Sequence, residues 1–319
     1  MDVAGNQTFL TRKGGVQWGD AVFKAGLTAA ALIVLVTLAA ILIIMFNGGR
    51  LAFETFGWDF LTSAEWDPVQ DIYGALPAMT GTLVTAGIAI LVAWPVGFGI
   101  AFFLTEVCPM PLRAPFGVAV ELLAAVPSIV YGMWGFFVLA PFMAEHVQPW
   151  MTEHFYALPF IGILFQAPPL GVGLLTASLV LAIMILPFVA ASTRDVLLTT
   201  PQILKDGGYA LGATRWEVLV DIVLPAARAS LFGAVFLGLG RALGETMAVT
   251  FVIGNANRLP DSLYAPASSI ASVVANEFPE ADVGSLKLAT LLALGFLLFV
   301  VSFGVLALAR ILLRQERMV

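Results

Sequence analysis

The chain carries a single cysteine, Cys108, in 319 residues. That excludes a disulfide framework within the chain and any multi-cysteine metal site. Histidine is nearly as scarce: His146 and His154 fall in one polar connection with no ligand cluster around them, so they read as loop residues and no metal is expected. The lysines, Lys13, Lys24, Lys205 and Lys287, all fail the ATPase phosphate-loop pattern G-x-x-x-x-G-K-[ST]. The sequence therefore offers no catalytic residue set, no cofactor and no nucleic-acid partner. Charge is also sparse, at 11% of residues against 60% hydrophobic, far too apolar for a soluble domain of this length.

What is abundant is long apolar runs. The first, about 25–46, is long enough to cross hydrocarbon and longer than a signal-peptide core. No convincing small-residue cleavage site follows it, so it reads as a retained span. A polar loop, 47–76, carries Trp58 and Trp66, residues suited to a membrane interface. Further spans are expected at about 77–104, 116–142, 170–190, 226–255 and 286–313. The second has an internal Trp94-Pro95. The third has an interior Pro127-Ser128 that implies a broken or kinked helix, tolerated only when buried against protein. Between the fifth and sixth, Ile270, Val273, Val274 and Phe278 have the spacing of a short amphipathic helix. With no internal repeat, the whole of 1–319 is expected to form one all-α, six-span integral membrane domain.

Flanking charge sets the orientation. With the N-terminus inside, the inner segments hold eleven basic residues: Arg12, Lys13, Lys24, Arg113, Arg194, Lys205, Arg215, Arg228, Arg310, Arg314 and Arg317. The outer loops hold three, Arg50, Arg258 and Lys287. This bias predicts both termini and the segment 201–225 in the cytoplasm. The outer loops hold most of the carboxylates instead, which repel an anion at long range. Delivery of an anion by a carrier protein fits them better than capture by this chain.

Segment 201–225 is a polar interruption between apolar spans. Thr200-Pro201 starts a helix, because proline at the first helical position lacks only an N–H that has no partner there. Gly212 ends that helix, and Thr214-Arg215-Trp216-Glu217 reads as a capping box opening a second. At Leu224-Pro225 the proline either stops this second helix or opens the next span. The apolar residues Ile203, Leu211, Trp216 and Leu219 need a partner surface.

The spacing Asp206-Gly207-Gly208, Gly212, then Ile222-Val223-Leu224-Pro225 resembles the coupling loop of type I ABC importer permeases. The stretches GLGRALGETMAVTFVIGN (238–255), ELLAAVPSIVYGMWGFFVL (121–139) and SSIASVVANEF (268–278) are similar to one branch, the PstC-type permease subunits of bacterial phosphate importers. The resemblance covers most of the chain beyond about residue 75. It implies the type I permease fold in the bacterial inner membrane, with a cytoplasmic coupling-helix loop. It also implies membrane lipid and a set of partners: a homologous permease of PstA type, two ATPase subunits of PstB type and an external phosphate-binding protein of PstS type. By the same resemblance, Asp206, Gly207, Gly208, Gly212, Ile222, Leu224 and Pro225 carry the ATPase coupling, so ATP is hydrolysed on another polypeptide. Where the family usually has Glu-Ala-Ala, this chain has Asp-Gly-Gly, and each glycine costs a helix about 1 kcal/mol relative to alanine. The alternatives are a permease for sulfate or molybdate, or a secondary transporter or channel. The last predicts inverted halves, and none are visible.

Arg241 and Glu245 fall near the middle of the fifth span at i and i+4, which places them on one helix face. A charge at the bilayer centre costs about 2.5–3.5 kcal/mol, so it faces a partner or an aqueous path. Either the two pair with each other and pin helices, or Arg241 lines the substrate pathway and meets phosphate oxygens with its planar fork. In the second reading Glu245 competes for the guanidinium once the anion leaves. Thr246 and Thr250 offer hydroxyls to that path or back-bond to the helix. Gly238, Gly240 and Gly244 mark a close-packing seam, and Glu121 either snorkels to the boundary or has a structural role.

Overall fold

The computed structural model describes residues 18–159 and 162–315; Arg12, Lys13 and Arg317 of the charge count lie outside them. In chain order come α1 (Trp18–Phe56), the single turn α2 (Asp59–Thr62), and the two-residue strands β1 (Trp66–Asp67) and β2 (Ile72–Tyr73). Then follow α3 (Leu76–Val107), α4 (Met110–Ala124), α5 (Ser128–Phe155), α6 (Leu174–Leu198) and α7 (Gln202–Ala210). The chain continues with α8 (Arg215–Leu243), α9 (Met247–Val252), α10 (Ile270–Glu277) and α11 (Leu286–Gln315). Six of these, α1, α3, α5, α6, α8 and α11, are long and apolar enough to cross a membrane.

The chain divides after Asn47 into two compact units. The described part of the first is the opening of α1, where Val22, Phe23, Ile33, Val34 and Leu35 are all exposed. A helix that is apolar all round is suited to lipid or another membrane helix. The second unit holds everything from Gly48 onward.

Several boundaries differ from the sequence expectation, and proline explains the largest difference. The third helix of bilayer length is not 116–142. Pro127 holds an extended conformation (φ −58°, ψ 136°) and disfavours helix at Val126, so 110–124 is a separate helix. The helix of bilayer length starts at Ser128 and runs to Phe155, through the stretch expected to be a connection. The fifth apolar run is also interrupted, because α8 stops at Leu243 and α9 begins only at Met247. The polar loop after α1 is a short hairpin, in which Trp66 packs edge-on to Tyr73 at 5.0 Å. Trp58 remains exposed.

Four π turns, Phe103–Val107, Gly135–Leu139, Met143–Val147 and Val218–Val223, each end two residues before a proline. The prolines are Pro109, Pro141, Pro149 and Pro225. A proline lacks the N–H for the i−4 carbonyl and its ring collides with that oxygen. At Pro141, Pro149 and Pro225 a wider i→i+5 turn just ahead moves the carbonyls aside and lets the helix continue, whereas at Pro109 the helix ends and α4 begins. Thus Pro225 neither stops the second short helix nor opens a new one; α8 runs through it.

The core of the second unit is packed with small residues. Ala86, Ala89 and Ala93 of α3 meet Leu181 and Ile185 of α6, with Leu243, Val249 and Val252 alongside, all buried. Gly97 faces Val189 and the backbone of Ala190, where an added Cβ would lie 3.1 and 3.3 Å away. Gly238 faces Val189 in the same way, at 2.7 Å. Such residues let membrane helices approach closely. At the end of α3 remote from α7, the segment 253–270 is held by backbone bonds. Gly173 N–H donates to Val252 O at 2.9 Å, Leu175 N–H to Leu263 O at 2.8 Å and Ala267 N–H to Ile253 O at 3.0 Å. Ile270 N–H donates to the Thr82 hydroxyl at 2.9 Å, and α10 begins there with a Ser269/Ser272 capping box.

Candidate functional site

The break between α8 and α9 is made by Gly244, Glu245 and Thr246. Gly244 caps α8, and its N–H donates to Gly240 O at 3.4 Å, a loose last turn. Glu245 folds its carboxylate onto the start of α9 and accepts from Ala248 N–H at 3.3 Å. This satisfies a backbone donor that the helix start leaves free. The expected shared helix face is therefore absent, because the helix ends between Arg241 and Glu245. Among the described residues no ion pair joins them. The Arg241 guanidinium instead lies over the Phe188 ring of α6, 5.9 Å from its centroid, and the residue is exposed. A cation over an aromatic face leaves its N–H edges available. Thr246 is half-buried, with its hydroxyl 3.5 Å from Gly244 O. Thr250 back-bonds to Thr246 O at 2.7 Å. Of the three glycines, Gly238 lies at the packed seam within this chain, a Cβ on Gly240 would touch Leu306, and one on Gly244 would meet Gly240 O at 3.8 Å.

The polar turn is a second candidate site. Pro201 is the N-cap of α7, one residue before the helix begins. After Ala210 the chain closes with a Schellman motif: Gly212 N–H donates to Tyr209 O at 3.0 Å and Ala213 N–H to Gly208 O at 3.1 Å. Gly212 has φ +86° and open space where a Cβ would be, so backbone conformation selects glycine here. Thr214 and Glu217 form the expected capping box. Asp206 is exposed and accepts from Gln202 Nε2 at 3.0 Å. Gly207 faces open space, whereas Gly208 is buried against Ile222 and Val218. The two glycines thus have different roles: Gly208 lets α7 lie directly on the π turn of α8. Leu224 is half-buried and Pro225 exposed.

Of the apolar residues expected to need a partner, Leu219 is buried in this chain's own core. Ile203, Leu211 and Trp216 remain 78%, 91% and 62% exposed. The turn is also clasped to α3 by contacts that no local sequence signal marks. Lys205 Nζ lies 2.5 Å from Glu106 Oε1, Arg215 Nη1 donates to Glu106 O at 3.3 Å, and Trp216 meets Phe102 edge-on at 6.1 Å. Glu106 follows an apolar run and precedes Pro109, a visible helix-end signal, but its partners lie about a hundred residues away. Glu121 carries the structural role expected of it, pairing with Arg194 at 3.2 Å between α4 and α6.

Residues 97–317 match the family described as "Binding-protein-dependent transport system inner membrane component". The chain is 54% identical to the phosphate transport system permease protein PstC of Mesorhizobium japonicum, over 93% of this chain and 90% of the relative. It is 51% identical to the protein of the same name from Haemophilus influenzae, over 93% and 94%. With the probable phosphate transport system permease protein PstC of Methanocaldococcus jannaschii it shares 35% identity over 89% and 90%. Among solved structures it resembles a chain of a bacterial ABC transporter that imports the acidic polysaccharide alginate. That match has a TM-score of 0.60 at 17% identity and covers 93% of this chain and 98% of the other. A chain of the MetNI methionine ABC transporter matches with a TM-score of 0.54 at 16% identity, over 79% and 99%. These two likenesses establish the type I importer permease fold.

Proposed function

The chain belongs to the family of binding-protein-dependent transport system inner membrane components, and from that premise we propose that it is a PstC-type permease subunit of an ATP-driven phosphate importer. Its relatives' names support phosphate over sulfate or molybdate. The observation that carries the pathway assignment is Arg241: an exposed guanidinium on a bilayer-length apolar helix, stacked on Phe188 and joined to no carboxylate among the described residues. Phosphate oxygens match its planar fork. Glu245 and Thr246 flank the path, Glu245 holding the break open by capping α9.

In this reading the turn 201–225 is the cytoplasmic coupling loop and both termini are cytoplasmic, as the basic-residue bias predicts. Exposed Ile203, Leu211 and Trp216 form the apolar knob that seats in a PstB-type ATPase. A PstA-type permease completes the pathway, and a PstS-type binding protein delivers phosphate at the acidic outer face. ATP hydrolysis belongs to the ATPase chains.

The test is phosphate uptake into proteoliposomes bearing the assembled complex. Arg241→Gln removes a charge-assisted contact of about 1.5–3 kcal/mol and is expected to lower uptake about 10- to 100-fold at unchanged assembly. Arg241→Lys is impaired as well, because an ammonium has no bidentate fork. With no ion pair to relieve, Arg241→Gln combined with Glu245→Gln stays at least as impaired as Arg241→Gln alone. Recovery of uptake in that double variant would overturn the pathway assignment.

A further inference from the structure

Glu106 is placed where a coupling movement would have to pass. It sits in the π turn that ends α3, and it holds both arms of the turn 201–225. Its carboxylate takes Lys205 from α7 at 2.5 Å, and its backbone carbonyl takes Arg215 from the start of α8 at 3.3 Å. The Lys205 and Glu106 side chains are only 7% and 14% exposed. A buried ion pair is a poor way to gain stability, since desolvation offsets most of the attraction. It is a good way to fix one relative position of two elements, because separating the charges leaves both unpaired in a low dielectric.

The far end of α3 is tied as firmly. Thr82 accepts from Ile270 N–H at 2.9 Å, and Gly81 lies so close to Ser268 that a Cβ would come within 2.0 Å of its carbonyl oxygen. Between these ends, Ala86, Ala89, Ala93 and Gly97 pack α3 tightly on α6 on both sides of Pro95, so continuous packing links the two ends of α3. From Thr82 to Glu106 the helix spans about 36 Å at 1.5 Å per residue.

We infer that the Glu106–Lys205 pair is the joint through which movement of the polar turn is passed to α3, and through α3 to the segment 253–270 at its opposite end. This rests on the reading of 201–225 as the coupling loop. Glu106 and Lys205 are positioning residues, acting through the elements they join.

The experiment measures phosphate imported per ATP hydrolysed by the purified four-component complex in proteoliposomes. Glu106→Ala combined with Lys205→Ala removes both charges at once and strands neither. It should assemble and hydrolyse ATP, with phosphate moved per ATP at least fivefold lower. The swap Glu106→Lys with Lys205→Glu rebuilds the contact and should recover at least half of the loss. Three results would overturn the joint: an unchanged ratio in the double alanine variant, a swap no better coupled than it, or failure of the double alanine variant to assemble. The last would make the pair purely a folding element. The wild-type complex separates this from the functional reading: if it imports no phosphate, that reading fails, whereas a coupled wild type beside an equally coupled double variant refutes only the joint.

Discussion

Gly81 gives the sharpest test of how α3 meets the segment at its far end. An alanine Cβ there would lie 2.0 Å from Ser268 O and 3.0 Å from Ser268 C, both backbone atoms. An ordinary carbon–oxygen contact is about 3.3 Å, so α3 and the segment must part by about 1.3 Å. The bond from Ile270 N–H to Thr82 Oγ1, now 2.9 Å, cannot survive that displacement. Overpacking of this kind costs about 1–3 kcal/mol, and the stranded buried donor adds about 1–3 kcal/mol. Gly87 is the control, on the same helix with nothing within 4 Å of an added Cβ. Gly87→Ala should gain about 0.4–1 kcal/mol by restricting the unfolded chain. Apparent melting temperature of the solubilised complex, at one fixed scan rate, is the assay. At about 2–4 °C per kcal/mol, Gly81→Ala should melt at least about 4 °C below wild type, and Gly87→Ala at or above it. Thr82→Val, which removes the acceptor without the clash, should fall between. Equal melting of Gly81→Ala and Gly87→Ala would refute the close approach of the two backbones.

Gly212→Val forces a β-branched residue to φ +86°, at about 1–3 kcal/mol; the protein should insert normally while ATPase co-purification and uptake fall about tenfold or more, with Gly212→Asn milder. Gly207→Ala, in open space, should raise the melting temperature. Gly208→Ala should not, since its Cβ would come within 2.5 Å of Ile222 Cδ1 and 3.0 Å of Val218 Cγ2. Burial first, then the hydrogen bond and charge of Asp71, push the Tyr73 phenol up to about 12. Its folded pKa lies above the unfolded value of 10.0. The stability it contributes is therefore complete below pH 10 and is lost as pH rises through about 12. Tyr73→Phe should make alkaline unfolding shallower in that window and remove the latest-titrating tyrosinate from an ultraviolet titration.

The membrane architecture was legible because its signals are local. Runs of apolar residues of bilayer length need no tertiary partner to be recognised. The turn after α7 was legible for the same reason: Gly212, Thr214 and Glu217 interact only with neighbours in sequence. The amphipathic spacing of Ile270 and Val273 likewise marked α10, whose Ile270 and Val273 are buried. The spacing at Asp206 and the stretch through Arg241 pointed to the family that residues 97–317 match.

Tertiary structure decided what depends on backbone geometry at proline and glycine, and on residues distant in sequence. Apolarity alone does not say where a helix breaks: it runs through Pro127 and through the interruption at 244–246 without marking either. That interruption removed the i, i+4 relation between Arg241 and Glu245 and left the arginine over Phe188, a residue of another helix. The two glycines after Asp206 looked equivalent in sequence, yet only one faces α8. The pairing of Glu106 with Lys205 joins the end of α3 to the middle of α7 across about a hundred residues of chain. No periodicity encodes that pairing: it exists because the end of α3 meets α7 once the alanines and glycines of α3 have packed against α6.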